Sequence, residues 1–378
     1  MNVLVAIDSF KGSLTSYDAG MAASDGIKRA IPDANVTVRP VADGGEGTVD
    51  ALCMALGGIV MSIDVTGPLG KKVKADYGLI VHSRTAIIEI SAAAGITLVP
   101  DDKRNPMHTT TYGVGEIISD AISRGCRNFI IGIGGSATND GGIGMLQALG
   151  FDILDSDGKD VSYGARGLSE IASISTNNAN PVLGECTFTV ACDVTNPLCG
   201  KNGCSRVYGP QKGADNDMIL KMDAYLADYA RITKTVIPNA DETAEGAGAA
   251  GGLGFALTTF LDAKLRGGIG LVLDMTNMEE YIKNTDIVVT GEGRLDSQTA
   301  MGKAPAGIAA LAKKYGKKVI AFSGCVTRDA YKCNECGIDA FFPVLRTVCT
   351  LDEAMDADNA YNNMSDTVHQ VFNLIKTF

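Results

Sequence analysis

Histidine is scarce: His82, His108 and His369 are the only three in 378 residues, and they lie far apart. There is no HExxH pair, so zinc-hydrolase and histidine-triad chemistry are set aside, and each histidine is expected on the surface or in a loop. A basic excess is also missing. Lys+Arg is 33 against Asp+Glu 44, a formal net charge of -11. That removes the footprint needed to grip nucleic acid or an anionic membrane, so neither is expected as a partner. Long apolar runs are absent too. The best candidate, residues 246–261, is uncharged but mostly glycine and alanine, and it is shorter than the ~18 residues of a span. The opening run VLVAI is too short for a signal sequence and meets Asp8, so a cytoplasmic chain is expected. Ten cysteines have no framework spacing. Cys333 and Cys336 form one CxxC, but no second pair lies nearby to complete a zinc site. Unpaired thiols in a reducing compartment are expected, and the pair has no readable role.

The residues that are present point to an α/β protein. Hydrophobic residues make up 46% and charged residues 20%, which is ordinary for a globular chain, and the length suits two domains. Asn2–Ile7 (NVLVAI) reads as a buried parallel strand. A helix comes next, with Thr15 and Asp18 resembling a capping box, and Pro32 stops it. Residues 36–41 read as a strand, 46–56 as a helix and 59–65 as a third strand, giving βαβαβ. The tail repeats this alternation, with strands at 286–290, 318–322 and 340–344, a helix at 304–315, and Val368, Phe372 and Ile375 as a helical stripe. Neither end has enough strands alone. One Rossmann-like domain is therefore expected from residues 1–66 and 283–378, with an α/β domain, 67–282, inserted between them. Within the insert, strands are expected at 85–90, 129–133 and 187–191, a helix at 113–123 and a Gly/Ala-rich helix start over 245–260.

The informative pattern lies directly beyond each strand. Ile7 runs into DSFKGS, Val41 into ADGGEGT, Ile133 into GGSATNDGG, Ala191 into CDVTNP and Thr290 into GEGRLD. Ligands of parallel α/β sheets bind outside the carboxyl ends of strands. Glycine there lets backbone N–H groups approach phosphate, and the next helix adds its dipole. Ordinary βα turns also favour Gly and Asp, but they do not explain doubled glycines beside an acid. No Walker A motif and no HRD or DFG set is present. Gly132-x-Gly134-x-x-Ala137 comes after a strand, with Asp152 or Asp155 at ribose distance, so an NAD-dependent hydroxy-acid dehydrogenase is the alternative. Against it stand too many carboxylates: Asp8, Asp43, Glu46, Asp193, Glu292 and Asp296. Acids beside phosphate loops suit Mg²⁺. Lys11 and Lys303 can neutralise phosphate, and Arg294 can clamp a carboxylate.

The strings DSFKGSLT, ADGGEGT, MHTTTYGVGE, GIGGSATNDGG, CDVTNPLCGKNG with GPQKGA, AAGGLG and TGEGRLDSQTAMGK occur in that order. Together they closely resemble the bacterial glycerate kinase family of the first type, over essentially the whole chain. One mild departure is the segment CSR at 204–206. The resemblance implies an ATP- and Mg²⁺-dependent kinase acting on D-glycerate in glyoxylate and sugar-acid catabolism. It also implies two α/β domains, the second inserted into the first, with the active-site cleft between them. The 2-hydroxyl is the usual target of bacterial members, although the residues leave the 2- and 3-positions open. A homo-oligomer is left open as well. A catalytically inactive nucleotide- or acid-binding protein is the remaining alternative, opposed by the intact carboxylates and lysines.

On this reading Lys11, Arg294 and Asp193 are the catalytic candidates. Asp193 is the preferred base for the acceptor hydroxyl, with Asp43 and Asp296 as rivals. Asp43, Glu46 and Asp296 are the metal candidates. Substrate and nucleotide contacts are expected from Ser9, Ser13, Gly44, Gly45, Gly134, Gly135, Ser136, Asn139, Asn196, Gly291, Gly293 and Lys303.

Overall fold

The computed structural model describes residues 1–378. Its strands, in chain order, are β1 (Asn2–Ile7), β2 (Asn35–Val38), β3 (Ile59–Thr66), β4 (Lys72–Ile80), β5 (Thr85–Glu89), β6 (Asn128–Gly132), β7 (Asp152–Leu154), β8 (Ser173–Ser175), β9 (Thr187–Ala191), β10 (Lys264–Arg266), β11 (Ile287–Leu295), β12 (Lys318–Val326) and β13 (Ala340–Pro343). The chain divides into two compact units. One comprises Met1–Asp43, Asp50–Gly57 and Gly268–Phe378; the other comprises Gly44–Val49 and Gly58–Gly267.

The first unit is a five-stranded parallel sheet in the order β13-β12-β11-β1-β2. Successive side chains of a strand face opposite sides, so a strand covered on both sides must be apolar throughout. β1 shows this directly. Val3, Val5 and Ile7 enter a core with helices Ser16–Ala30 and Ala357–Ile375, while Leu4 and Ala6 enter a second core under helix Ala304–Lys314. The same alternation splits Ile287 and Val289 from Val288, and Ile320 and Phe322 from Val319 and Ala321. The Thr15 hydroxyl accepts the Asp18 N–H at 3.1 Å and caps the first helix as its sequence requires.

The second unit carries a six-stranded mixed sheet, β10-β9-β6-β5-β4-β3, and a small antiparallel pair, β7-β8. β5, β6, β9 and β10 run parallel, while β3/β4 and β4/β5 are antiparallel. One continuous core fills this unit, with Phe129 and Phe188 stacked at 4.8 Å.

Five points differ from expectation here. β3 is not a third parallel strand of the end-built sheet. It closes an antiparallel hairpin with β4, a strand the sequence reading passes over. The turn is made by Gly67, whose N–H donates to Lys71 O at 2.7 Å, and by Gly70 at φ +73°; a short hairpin needs no crossover. Helices Gly268–Met275 and Met278–Lys283 belong to the first unit, because Ile269, Leu273, Met278 and Ile282 fill its second core. The long helix Asn216–Val236 is also absent from the sequence reading. Helix Ala249–Phe260 is interrupted at Ala250, Gly251 and Gly252, all at positive φ.

The fifth concerns GEGRL. It is not a loop: β11 continues to Leu295 and pairs with β12 throughout, with Gly291 opposite Phe322 and Arg294 opposite Cys325. Gly291 has a packing reason. A Cβ there would run into Phe322 O, in the neighbouring strand's backbone. Gly291→Ala is expected to destabilise the fold by roughly 1–3 kcal/mol through overpacking. An unchanged denaturation midpoint would place the glycine's role elsewhere.

Candidate active site

In the first unit, the connections from β1 and β11 diverge across the sheet. The order β2-β1-β11-β12-β13 makes the carboxyl ends of β1 and β11 a topological switch point, where doubly wound sheets bind ligands. Asp8 is the first residue beyond β1. Its N–H donates to Gly291 O at 2.9 Å, its carboxylate accepts the Ser9 N–H at 2.7 Å, and it is 4% exposed. Burial pushes its pKa up to about 7, with help from the charges of Asp43 and Glu292 and opposition from the Ser9 bond and Lys11. A tight turn comes next. Phe10 O accepts the Ser13 and Leu14 N–H groups at 2.7 and 3.0 Å, Gly12 sits at φ +77°, and Lys11 is left exposed. The buried hydroxyls of Ser9, Ser13 and Thr290 have no partner, so hydrogen-bonding capacity is held in reserve at these strand ends.

Glu292, also on β11, is buried. Burial raises its pKa, opposed by the Thr299 hydroxyl, which donates at 2.5 Å, and by Lys303 at 3.8 Å. Lys303 is the N-cap of helix Ala304–Lys314, so its ammonium adds to that helix's positive end. Asp296 is spent on local structure: Oδ1 accepts the Gln298 N–H at 2.8 Å, and Oδ2 faces Arg294 at 3.4 Å. The Arg294 side chain is otherwise in solvent, 67% exposed. Cys333 donates to Asp296 O and Cys336 to Ala300 O, so the CxxC pair braces this loop as free thiols.

In the second unit two glycine loops lie against each other. A Cβ on Gly132 would run into Gly44 O, and one on Gly134 would lie 3.5 Å from Gly45 Cα. A buried lysine contacts the loop after β6. The Lys212 Nζ, buried at 2% exposure, donates to Ser136 Oγ at 2.7 Å and to Thr138 O at 2.6 Å. Asn139 is fully buried and donates to Ser205 Oγ at 2.8 Å, while its Oδ1 has no partner. Asp140 accepts from the Thr111 N–H and hydroxyl, both at 2.9 Å, and from the Gly142 N–H at 3.1 Å. Glu89, at the end of β5, accepts the Val49 N–H at 2.8 Å, and Glu46 is exposed in the turn before Val49. Beyond β9 comes Asp193, exposed, with Oδ1 3.6 Å from where a Cβ on Gly267 would stand.

The structure thus groups the expected residues by unit. Ser9, Lys11, Ser13, Asp43, Gly291, Gly293, Arg294, Asp296 and Lys303 are in the first; Gly44, Gly45, Glu46, Gly134, Gly135, Ser136, Asn139, Asp193 and Asn196 are in the second. Asn196 is engaged at both ends: its Oδ1 accepts from Tyr208 OH at 2.7 Å, and its Nδ2 donates to Asn202 O at 2.9 Å. The candidate set leaves out Asp8, Glu292 and Lys212. Asp8 carries a readable signal, being the first polar residue after a buried strand. Lys212 lies in the GPQKGA string, but nothing local marks its role, since its partners lie 76 and 74 positions away. The dehydrogenase alternative loses its acids: Asp152 binds Asn178 at 3.0 and 3.1 Å, and Asp155 closes its own turn on the Asp157 and Lys159 N–H groups.

No three Asp, Glu, His or Cys side chains are gathered closely enough to hold a metal alone. Mg²⁺ does not need such a cage; it takes one or two carboxylates and completes its shell with water and phosphate oxygens. Asp8, whose ionisation the Asp43 charge opposes, and Asp43 form a donor set of that kind. No helix is long and apolar enough to cross a membrane.

Glycine loops, carboxylates and lysines at parallel strand ends define an α/β enzyme that handles anionic substrates. The glycerate kinase family model matches residues 3–376. A glycerate 2-kinase of Escherichia coli K12 is 47% identical over 364 residues, covering 96% of this chain and 95% of that protein. A glycerate kinase of Bacillus subtilis 168 is 44% identical over 376 residues, covering 100% and 98%. The crystal structure of a Salmonella typhimurium LT2 protein assigned as glycerate kinase 2 superposes with a TM-score of 0.90 at 44% identity, covering 100% and 98%. The chain belongs to the glycerate kinase family. It is a kinase, a phosphotransferase with an alcohol group as acceptor.

Proposed function

We propose that the protein transfers the γ-phosphoryl group of ATP to the 2-hydroxyl of D-glycerate, giving 2-phosphoglycerate and ADP, with Mg²⁺ and in the cytoplasm. The observation that carries the reading is the buried Asp8 beside Asp43 and Glu292 at the β1/β11 switch point, with Lys11 and Lys303 in the same unit. Such a cluster is costly alone and is relieved by a cation that also binds phosphate. The name of the Escherichia coli relative supports the 2-position.

Phosphoryl transfer requires alignment and charge neutralisation more than covalent help. In this reading Lys11 and Lys303 meet phosphate oxygens, and the reserved hydroxyls of Ser9 and Ser13 hydrogen-bond to the same anion. Asp8 and Asp43 are the carboxylates best suited to Mg²⁺, with Glu46 a further candidate through water. When bound, Mg²⁺ offsets the negative charge of the phosphates. Arg294 holds a substrate anion in its fork. Asp193 takes the proton of the acceptor hydroxyl as its oxygen bonds to phosphorus and the bond to the ADP oxygen breaks.

The test is ADP release coupled to D-glycerate, with the product identified by ³¹P–¹H correlation to the proton on C2. Turnover is expected to require both substrates and to vanish on complete chelation of divalent metal. Activity surviving chelation removes the metal from the reading, and correlation to C3 moves the product to 3-phosphoglycerate.

A further inference from the structure

We propose that Lys212 is a positioning residue: buried beneath the loop after β6, it acts through Ser136 as the cationic floor of a site for a substrate oxyanion. The inference rests on the phosphotransfer reading in taking that loop as a substrate contact.

The argument begins with an imbalance of charge. Lys212 is 2% exposed, and its two contacts, Ser136 Oγ and Thr138 O, are both neutral. No carboxylate forms an ion pair with it. Asp140, the one carboxylate whose charge acts on it, is buried too, but its oxygens serve Thr111 and Gly142. The neighbouring Cys204 thiol is pushed up to about 12 by burial, so it stays neutral. Burial in turn pulls Lys212 down to about 8. A buried ammonium without a counter-charge is expensive, and proteins seldom keep one without a use. The missing charge is one that a substrate brings.

Hydrogen-bond polarity gives the direction. An ammonium only donates. Ser136 Oγ therefore accepts from Lys212, and its own proton is left to donate away from the lysine. The unpartnered Thr138 hydroxyl and Asn139 Oδ1 lie in the same stretch of chain. Gly135, at φ +71°, turns the chain immediately before Ser136. The loop itself is anchored independently: the Ala137 N–H donates to Ala94 O at 2.8 Å, and the Thr109 hydroxyl to Ala137 O at 2.8 Å. Lys212 is thus not needed merely to hold the loop in place. The geometry suits one oxyanion, which is either a nucleotide phosphate or the acceptor's carboxylate.

The test compares Lys212→Met, Ser136→Ala, Ser136→Thr and the double variant Lys212→Met/Ser136→Ala, with KM for ATP and for D-glycerate measured separately. Loss of a charge-assisted contact is expected to raise one of the two KM values about 10–100-fold in both Lys212→Met and Ser136→Ala. The other KM stays within about twofold. A rise in KM for ATP assigns the oxyanion to phosphate, and a rise for D-glycerate assigns it to the carboxylate. Ser136→Thr restores a hydroxyl and is expected to reverse a large part of the KM rise in Ser136→Ala. The double variant is expected to be no worse than Lys212→Met, because the lysine acts through the serine. Should Lys212→Met fail to fold, the Ser136 pair decides. Ser136→Ala with both KM values unchanged overturns the proposal, as does additivity in the double variant. A wild-type protein with no turnover on ATP and D-glycerate instead defeats the kinase reading. The Lys212 site is then judged by whether ADP or D-glycerate raises the wild-type melting temperature and not that of Ser136→Ala.

Discussion

Asp8→Asn is expected to lower turnover by ~10²–10³ and, at the same time, to raise the melting temperature of the ligand-free protein. The two effects share a cause. Asp8 is held at the end of β1 where burial and the charges of Asp43 and Glu292 oppose its ionisation, lifting it from 3.8 to about 7. Asparagine has nearly the same shape and can still accept the Ser9 N–H, so it removes the charge and little else. The carboxylate's cost in the free fold is then relieved. For a shift of this size the gain is on the order of 2–4 kcal/mol at about pH 8, or several degrees. The loss is of the negative charge that would hold Mg²⁺ beside the phosphates, so chemistry fails as stability rises.

The pH dependence has a definite sign. Asp8's folded pKa lies above its unfolded value, so the folded state binds more protons between about pH 4 and pH 7. Its contribution to wild-type stability is therefore fully present below the unfolded pKa and is lost as pH rises through about 7. The advantage of Asp8→Asn should be largest near about pH 8 and close to nothing near about pH 4. Thermal melts at both pH values, paired with ADP-release rates, decide the matter. A variant that melts lower at the higher pH would make Asp8 a structural carboxylate, and normal turnover would remove it from the site.

These effects show where sequence and structure part. β1, β11 and β12 are legible because each alternates between two apolar cores, which leaves few polar residues to obscure the run. From sequence β11 ends at Thr290, because the pattern that marks a strand is made of side chains, and Gly291 and Gly293 have none. The backbone ladder to β12 continues without them. β3 looks like the third strand of a βαβαβ unit, since its composition is the same whether its neighbour runs parallel or antiparallel; only the partner, β4, distinguishes the two.

The site divides in the same way. Loops after strands announce themselves locally, and the glycine loops at 44–47 and 132–136 do lie together. The roles of single residues depend on partners far along the chain. Asn196 is expected at a ligand from its place in CDVTNP, yet Tyr208 and Asn202 occupy its amide. Lys212 sits in a turn that resembles many others, and its burial under Ser136 is a property of the folded second unit.

Asp193→Asn is the variant expected to separate chemistry from binding most cleanly. Asp193 stands at the carboxyl end of β9, one residue past Cys192, in the unit whose parallel strands also deliver the glycine loop after β6. It is exposed, unlike Asp8 and Asp140, so arriving substrate can reach its carboxylate. The rivals have other demands on them. Asp296 is committed to the Gln298 N–H and to Arg294, and Asp43 shares the acidic cluster that calls for a cation. An acceptor hydroxyl is a weak nucleophile, and a placed carboxylate that accepts its proton contributes ~10²–10⁴ in rate. Asparagine preserves size and hydrogen bonding but has no basic oxygen. Turnover is therefore expected to fall by that factor, while the KM for ATP and the melting temperature stay close to wild type. A base that is lost by substitution also removes the acidic limb of the pH–rate profile, a change that mere misplacement of substrate does not produce. If Asp193→Asn keeps turnover within a few-fold and Asp43→Asn loses both turnover and that acidic limb, the proton goes to Asp43, and Asp193 is a solvent-facing turn residue at the end of β9.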